Sequence, residues 1–523
     1  MMVAYWYGIK PGGVPALKIT KADLTADQII ALPTTSYEAF LFDSEQAKLG
    51  YVYDIVQKTF GQFTWTPVKS SNPEYQFQAL ATEWVQARLA KGGNFGNNIQ
   101  ETHWVNIAAA FPQLPFTPIV EVRQQAFGAR LKGPWSTYIS LGSGGAGSLA
   151  EIGEIRGNVG FDGGTTGSFN YIGNDGFGYI QQAETYTFGL GDNSTSNFPQ
   201  RCIISAWELP GKNQPLPSYA AAPVAGHLAL RLSPTMVRLA YSGHQVTESV
   251  PHIFSEARIP AKVLAAGEVT IAAGSSATVS TRLPTTPATY VDYHARKSTE
   301  AMFHPPLLPG SARSDSIDIQ FEILSAGVTI YNLSTYTMVV RYLVLADDDS
   351  AQSSGGSLWQ RRANDGVSDY WQLKVPGSSD AAPKLNDIIV DTRLAYLPLV
   401  ADGYLSAATD FVQADYQWLG EAMRTINFVN NGFRPFVKYA TVFSDHYAIP
   451  RNRLFKEYFT STSWGNRCAG DSVNCIVGDT SLTFYMATGN PTDMRLNSSG
   501  LTVTHGQKPI GIRWYLFAIP TSL

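Results

Sequence analysis

The segment GGTTGSFNYIGNDGFGYIQQAETYTFGLGDN (residues 163–193) holds the densest set of side chains suited to ligand chemistry. Read as a hairpin, SFNYI and FGYIQ flank the turn GNDG. That places Phe169 and Tyr171 on one strand face and Phe177 and Tyr179 on one face of the partner. Aromatic faces stack on the CH faces of sugars, and Asn174 and Asp175 beside them could bond to hydroxyls, so a host-surface glycan is one candidate ligand. The same pattern also describes a cross-strand aromatic cluster that covers a core or a subunit contact, which is its commoner use.

Other chemistry-bearing patterns lead less far. Gly142, Gly144 and Gly147 in ISLGSGGAGSLAEIGEI satisfy G-x-G-x-x-G after a strand-like stretch. A dinucleotide site needs a long helix to receive the pyrophosphate, and Gly153 and Gly157 interrupt the only candidate, so a Gly-rich loop is expected. The eight histidines (103, 227, 244, 252, 294, 304, 446 and 505) are too dispersed for a local metal pair, and Asp445–His446 reads as a surface dipeptide. No G-x-S-x-G elbow occurs. The run Asp347 to Asp349 lacks the glycine turn and distal Glu of a calcium loop and sits in a linker. Two carboxylates for glycoside hydrolysis would leave no mark on a sequence. No cofactor, metal or catalytic residue is expected, and the chain reads as a non-enzyme.

The elements that would position such groups are mostly strands. Only 15% of the 523 residues are charged and 12% are aromatic, with 46 glycines and 30 prolines, a profile of many short strands joined by turns. So little charge suggests surface covered by other subunits, as a homo-oligomeric trimer or ring. A net charge of −4 without a basic tract argues against nucleic acid. No apolar window is long enough for membrane insertion. The opening MMVAYWYGIKPGG reads as a strand and not as a secretion signal, consistent with synthesis in a host cytoplasm. Cys468 and Cys475 could close a small loop but read better as reduced thiols, and Cys202 as a small core residue.

The expected fold class is mainly β and multidomain, with a small α+β N-terminal domain followed by two or three antiparallel β-sandwich modules. The N-terminal domain spans 1–100, with strands in VAYWYGI and YEAFLFD, a short helix in LTADQIIAL, and a longer one in SNPEYQFQALATEWVQARLAKGG. In the longer helix Asn72 caps, Pro73 takes the first position, and Phe77, Leu80, Ala81, Trp84, Val85 and Arg88 form one stripe. A β-rich module follows over 101–212, then a β-sandwich module at 222–346 and a related one at 380–523. Linkers are expected at 209–226 and 346–357, with PGSSDAAP at 376–383.

The relationship between modules rests on short matches in a shared order. AAP occurs at 221–223 and 381–383, and RLAY at 238–241 and 393–396. TYVDYHA near Val291 matches PFVKYAT near Val437, with TPIVEVR near Val120 as a candidate third copy. Strands of the form Arg-x4-Ala start at Arg201, Arg341 and Arg513. If the module is repeated, the two RLAY stretches should occupy equivalent strands, with Arg238 and Arg393 laying their stems over apolar surface.

In overall profile the chain resembles virion structural proteins of tailed bacteriophages, of the tail-tip, baseplate and fibre type. The resemblance covers the whole chain loosely, rests on no signature motif, and carries over no functional residue. It implies a virion component in a tail or other external structure, anchored by its N-terminal domain. Its partners would be other virion proteins, and it would contact the host surface. A head-associated decoration or fibre protein and a carbohydrate-active tail spike are the alternatives.

Overall fold

The computed structural model describes residues 4–46, 52–59, 66–67, 86–91, 101–106, 116, 118–125, 131–135, 138–140, 158–161, 169–172, 201–249, 252–260, 262–306, 319–346, 350–411, 422–442, 446–448, 458–461, 465–468, 472–487, 492–497, 500–505, 510–519 and 521. The chain is mainly β, in several small antiparallel sheets. One arrangement recurs along it.

Each occurrence starts with a three-stranded antiparallel meander. The strands are Ala4–Ile9, Pro15–Thr20 and Phe40–Asp43 in the first, and Leu230–Ser233, Met236–Ala240 and His252–Phe254 in the second. In the third they are Gln360–Asn364, Asp369–Lys374 and Ile388–Asp391. Between the second and third strands the register slips at one place in each meander, after Ile19, Leu239 and Leu373. An irregularity repeated at one place is a feature of the fold and not a local accident. Turn chemistry closes the hairpins: at 365–368, Asp365 Oδ1 accepts from the N–H groups of Val367 and Ser368, and Gly366 takes the positive φ of +85°.

A second trio of paired strands follows each meander, and its middle strand is the last of the three in sequence. Arg201–Pro210 lies between Val52–Thr59 and Pro118–Gln125. Met338–Ala346 lies between Lys262–Ile271 and Tyr290–Lys297. Gly511–Ile519 lies between Leu399–Ser406 and Arg434–Val442. Bulges again coincide: the partner strand skips one residue opposite Ala206/Trp207, Val344/Leu345 and Leu516/Phe517. In the second and third occurrences a further sheet also has one order. Ser276–Ser280, Gly327–Asn332 and Ile319–Leu324 correspond to Ala422–Asn427, Ser481–Ala487 and Ser472–Val477. The strand SATVS shows why such a segment is half-buried: Ala277 and Val279 face inward and the serines and threonine face out.

One expectation changes here. Gln86–Lys91, the end of the longer predicted helix, is a strand paired with Glu101–Asn106; residues 71–85 lie outside those described. Within it Gln86 and Arg88 alternate with Ala87 and Leu89, so the stretch fits period two as well as period 3.6. The short helix forms at Ala26–Ala31, with Thr25 and Gln28 making a capping box, but it lies inside the first meander. Leu17, Ile19 and Phe42 pack in one core with Val237, Leu239, Phe254, Leu373 and Val390, so the described residues of the first meander share a core with the other two. Val52–Thr59 pairs with Arg201–Pro210, and the third meander runs from Gln360 to Asp391.

The RLAY stretches are not equivalent. Residues 238–240 lie in the second strand of their meander, whereas 393–396 follow the third strand of theirs in a turn and an isolated bridge to Val263. By register, the counterpart of Leu239 is Leu373. AAP at 381–383 falls inside a meander and AAP at 221–223 precedes one. The Arg-x4-Ala strands do share the central place, and Arg341 and Arg513 are in register, but the bulge aligns them with Ile203 and not Arg201. Arg341 and Arg513 are each 3% exposed and paired with a carboxylate on the neighbouring first strand, Glu268 and Asp402.

Leu131–Trp135 pairs with Pro118–Gln125 and, through Leu131, with Phe321. Tyr138–Ser140 pairs with His446–Ala448. Strands from the first third thereby cover sheet edges of the other two.

Candidate functional site

One flanking strand of each central one carries a charged residue directly between two apolar or aromatic neighbours: Val120-Glu121-Val122, Val291-Asp292-Tyr293 and Val437-Lys438-Tyr439. Glu121 lies opposite Ser205, Asp292 opposite Leu343 and Lys438 opposite Tyr515. Those partners each stand two residues before the bulge-side Trp207, Leu345 and Phe517, so the charged residues occupy one position of the repeated arrangement. Their side chains meet. Lys438 Nζ donates to Glu121 Oε1 at 2.8 Å and Oε2 at 2.6 Å and is ion-paired with Asp292 Oδ2. The Tyr290 hydroxyl donates to Glu121 Oε2, and the Tyr293 backbone N–H donates to Asp292 Oδ1 at 2.8 Å.

The cluster is closed. Glu121, Asp292 and Lys438 are 3%, 1% and 6% exposed, and Trp207, Tyr290 and Tyr515 around them are fully buried. Lys438 Nζ lies 4.9 Å from the Trp207 ring centroid. Removing such charges from water is tolerated because each is met by the opposite sign and by hydrogen bonds. Chemically the site holds an amine, two carboxylates and a phenol in mutual reach, sealed from solvent, so its chemistry concerns this chain's own atoms.

The seam beside it is equally specific. His294 stacks flat on Phe436 at 4.0 Å, and its Nε2 faces the Val437 carbonyl at 3.2 Å. Burial pushes this imidazole down to about 3, with Asp292 pulling the other way. Arg341 Nη1 donates to the Pro435 carbonyl at 2.7 Å, and the Tyr515 hydroxyl to the Pro210 carbonyl at 2.6 Å.

Of the residues expected to bind a ligand, Phe169 and Tyr171 lie in the strand Phe169–Ile172. It pairs with Asn158–Phe161 upstream. Asn174, Asp175, Phe177 and Tyr179 lie outside the described residues, as do the glycines at 142, 144 and 147 and the acidic run 347–349. Asp445 also lies outside them, while His446 belongs to the strand His446–Ala448. Cys475 is a free, buried thiol whose pKa burial raises, and Cys468 ends a different strand, Gly465–Cys468. No group of His, Cys, Asp or Glu among the described residues is placed to hold a metal ion. No helix among them is long and apolar enough to cross a membrane.

Sequence reasoning quoted all three strands of the cluster without weighing the charge at their centres. The legible signal was Val-Glu-Val, Val-Asp-Tyr and Val-Lys-Tyr: one charge of either sign, each in a stretch otherwise apolar enough to be buried.

No family model matches the chain, and no curated protein or solved structure matches it significantly.

Proposed function

We propose that this chain is a structural component of a bacteriophage virion, a tail-tip, baseplate or fibre protein built from antiparallel β-sandwich modules. The observation that carries the reading is the recurrence of one β arrangement three times around shared cores. Such a body gives shape and rigidity, and its thirds meet through packed side chains. The N-terminal meander anchors the protein to its neighbours in the particle, and the outward strands contact other virion proteins or host-surface glycan. The apolar surplus first assigned to a homo-oligomer has in part an internal outlet, because the thirds bury it against each other. A trimer or ring of whole chains is retained as part of the proposal. A body with three similar thirds would also suit a threefold position on a capsid, which favours a head-associated decoration protein as the second reading.

Immunogold labelling of intact particles with antibodies against this chain tests the proposal. Label at the tail tip or fibres supports the first reading and label over the head the second. Absence of the chain from purified particles by mass spectrometry overturns both. Release of reducing ends from host polysaccharide would transfer the protein to the carbohydrate-active spike class.

A further inference from the structure

The structure assigns a second property to the buried cluster: we infer that Lys438 and Asp292 condense to an intramolecular amide, with Glu121 relaying the protons. The reacting groups are already in contact, since Lys438 Nζ is paired with Asp292 Oδ2 in a site where both side chains are almost fully buried. Proximity of this kind removes most of the entropic barrier to bond formation.

The two carboxylates are held differently, and that decides their roles. Glu121 receives both its contacts from Lys438, at 2.8 and 2.6 Å, and a further hydrogen bond from the Tyr290 hydroxyl, an arrangement suited to taking a proton from the amine. Asp292 directs Oδ2 at the amine while Oδ1 accepts from the Tyr293 N–H at 2.8 Å. That N–H is placed to stabilise the oxyanion formed when Nζ attacks Cγ.

The step balances without any co-reactant. The Nζ–Cγ bond forms and the Cγ–Oδ2 bond breaks. The ammonium gives up two protons, which pass by way of Glu121 to Oδ2, and Oδ2 leaves as water. Nothing is oxidised or reduced. The product replaces an ammonium and a carboxylate in an apolar enclosure by a neutral amide, which relieves the cost of keeping two charges out of water. Trp207, Tyr290 and Tyr515, all fully buried, keep bulk water from reversing the reaction. The bond would tie the second third of the chain to the last at the point where all three meet.

The test is the mass of the purified full-length chain under denaturing conditions. The expected result is a deficit of one water molecule, with a branched peptide in the digest joining the Asp292 segment to the Lys438 segment. The unmodified sequence mass, or a deficit that maps elsewhere, overturns the inference. Wild type alone decides whether the bond exists, so a variant that does not fold leaves the answer intact. Glu121→Gln, which keeps the shape and one acceptor, is expected to restore the full mass in folded protein. A persisting deficit there would remove Glu121 from the reaction. If Glu121→Gln is recovered only unfolded, Glu121→Asp serves instead, with slower appearance of the branched peptide expected and an unchanged rate counting against the relay.

Discussion

Phe42 and Phe254 hold the same register position in two different meanders, opposite Ile19 and Leu239, and their rings meet at 6.2 Å with an interplanar angle of 63°. Tyr396 from the last third also meets Phe42, at 4.8 Å and 82°. One ring therefore touches all three thirds of the chain. Phe42→Ala is expected to cost about 3–5 kcal/mol, since a buried phenyl and its edge-to-ring contacts are both lost. Chemical denaturation read by far-UV circular dichroism measures it; a loss below about 1 kcal/mol would show that the three meanders do not depend on this contact.

Gly267 faces Tyr342 and Gly403 faces Trp514 across equivalent strands, each aromatic directly following its buried arginine. A Cβ at Gly403 would stand 2.6 Å from the Trp514 ring, whereas at Gly267 the nearest atom is the Tyr342 hydroxyl at 2.7 Å. The hydroxyl is the far end of a half-buried side chain and can move. The indole is enclosed. Gly403→Ala should therefore lose about 1–3 kcal/mol, and Gly267→Ala distinctly less. Equal losses in parallel melts would contradict this reading of the two surfaces.

His294 is held neutral by burial, with its folded pKa near 3. In the unfolded chain it binds a proton below about 6.5. Its contribution to stability is therefore complete above pH 6.5 and is lost as pH falls toward 3, at about 1.4 kcal/mol per pH unit. Denaturation midpoints across pH 3 to 7 should fall less steeply for His294→Gln than for wild type. Parallel profiles would mean that the imidazole is protonated in the fold or does not titrate differently on unfolding.

The middle segment 222–346 should not fold alone. Tyr290, Val291 and Leu345 share a core with Trp207, Phe436 and Phe517 from the other two thirds, and removing those would leave an apolar face and the Asp292 carboxylate uncovered. Expressed in isolation it is expected to give no cooperative melting transition, while the whole chain melts as a unit. A sharp transition with a dispersed NMR spectrum from the isolated segment would overturn the interlocked arrangement.

Much of the local structure could be read in residue order. Thr25 and Gln28 announce the short helix, the alternation in SATVS announces a half-buried strand, and VDYHA and FVKYA mark two copies of one strand. These signals are local: a cap, a period and a short match each depend on residues adjacent in the chain. RLAY was local as well, and it misled, because a tetrapeptide states a composition and not a register. The register came from pairing, in bulges after Ile19, Leu239 and Leu373 that no residue type marks. The meeting of Glu121, Asp292 and Lys438 lay further from the sequence still. Residues 317 positions apart in the chain reach hydrogen-bond distance only because like strands of three thirds turn the same position toward one centre. The sequence by itself determined that each of these strands would set a charged residue between apolar or aromatic neighbours. Only the tertiary structure decided that Lys438 would meet both carboxylates, since the cost of burying a charge is met by a partner whose position is a property of the whole fold.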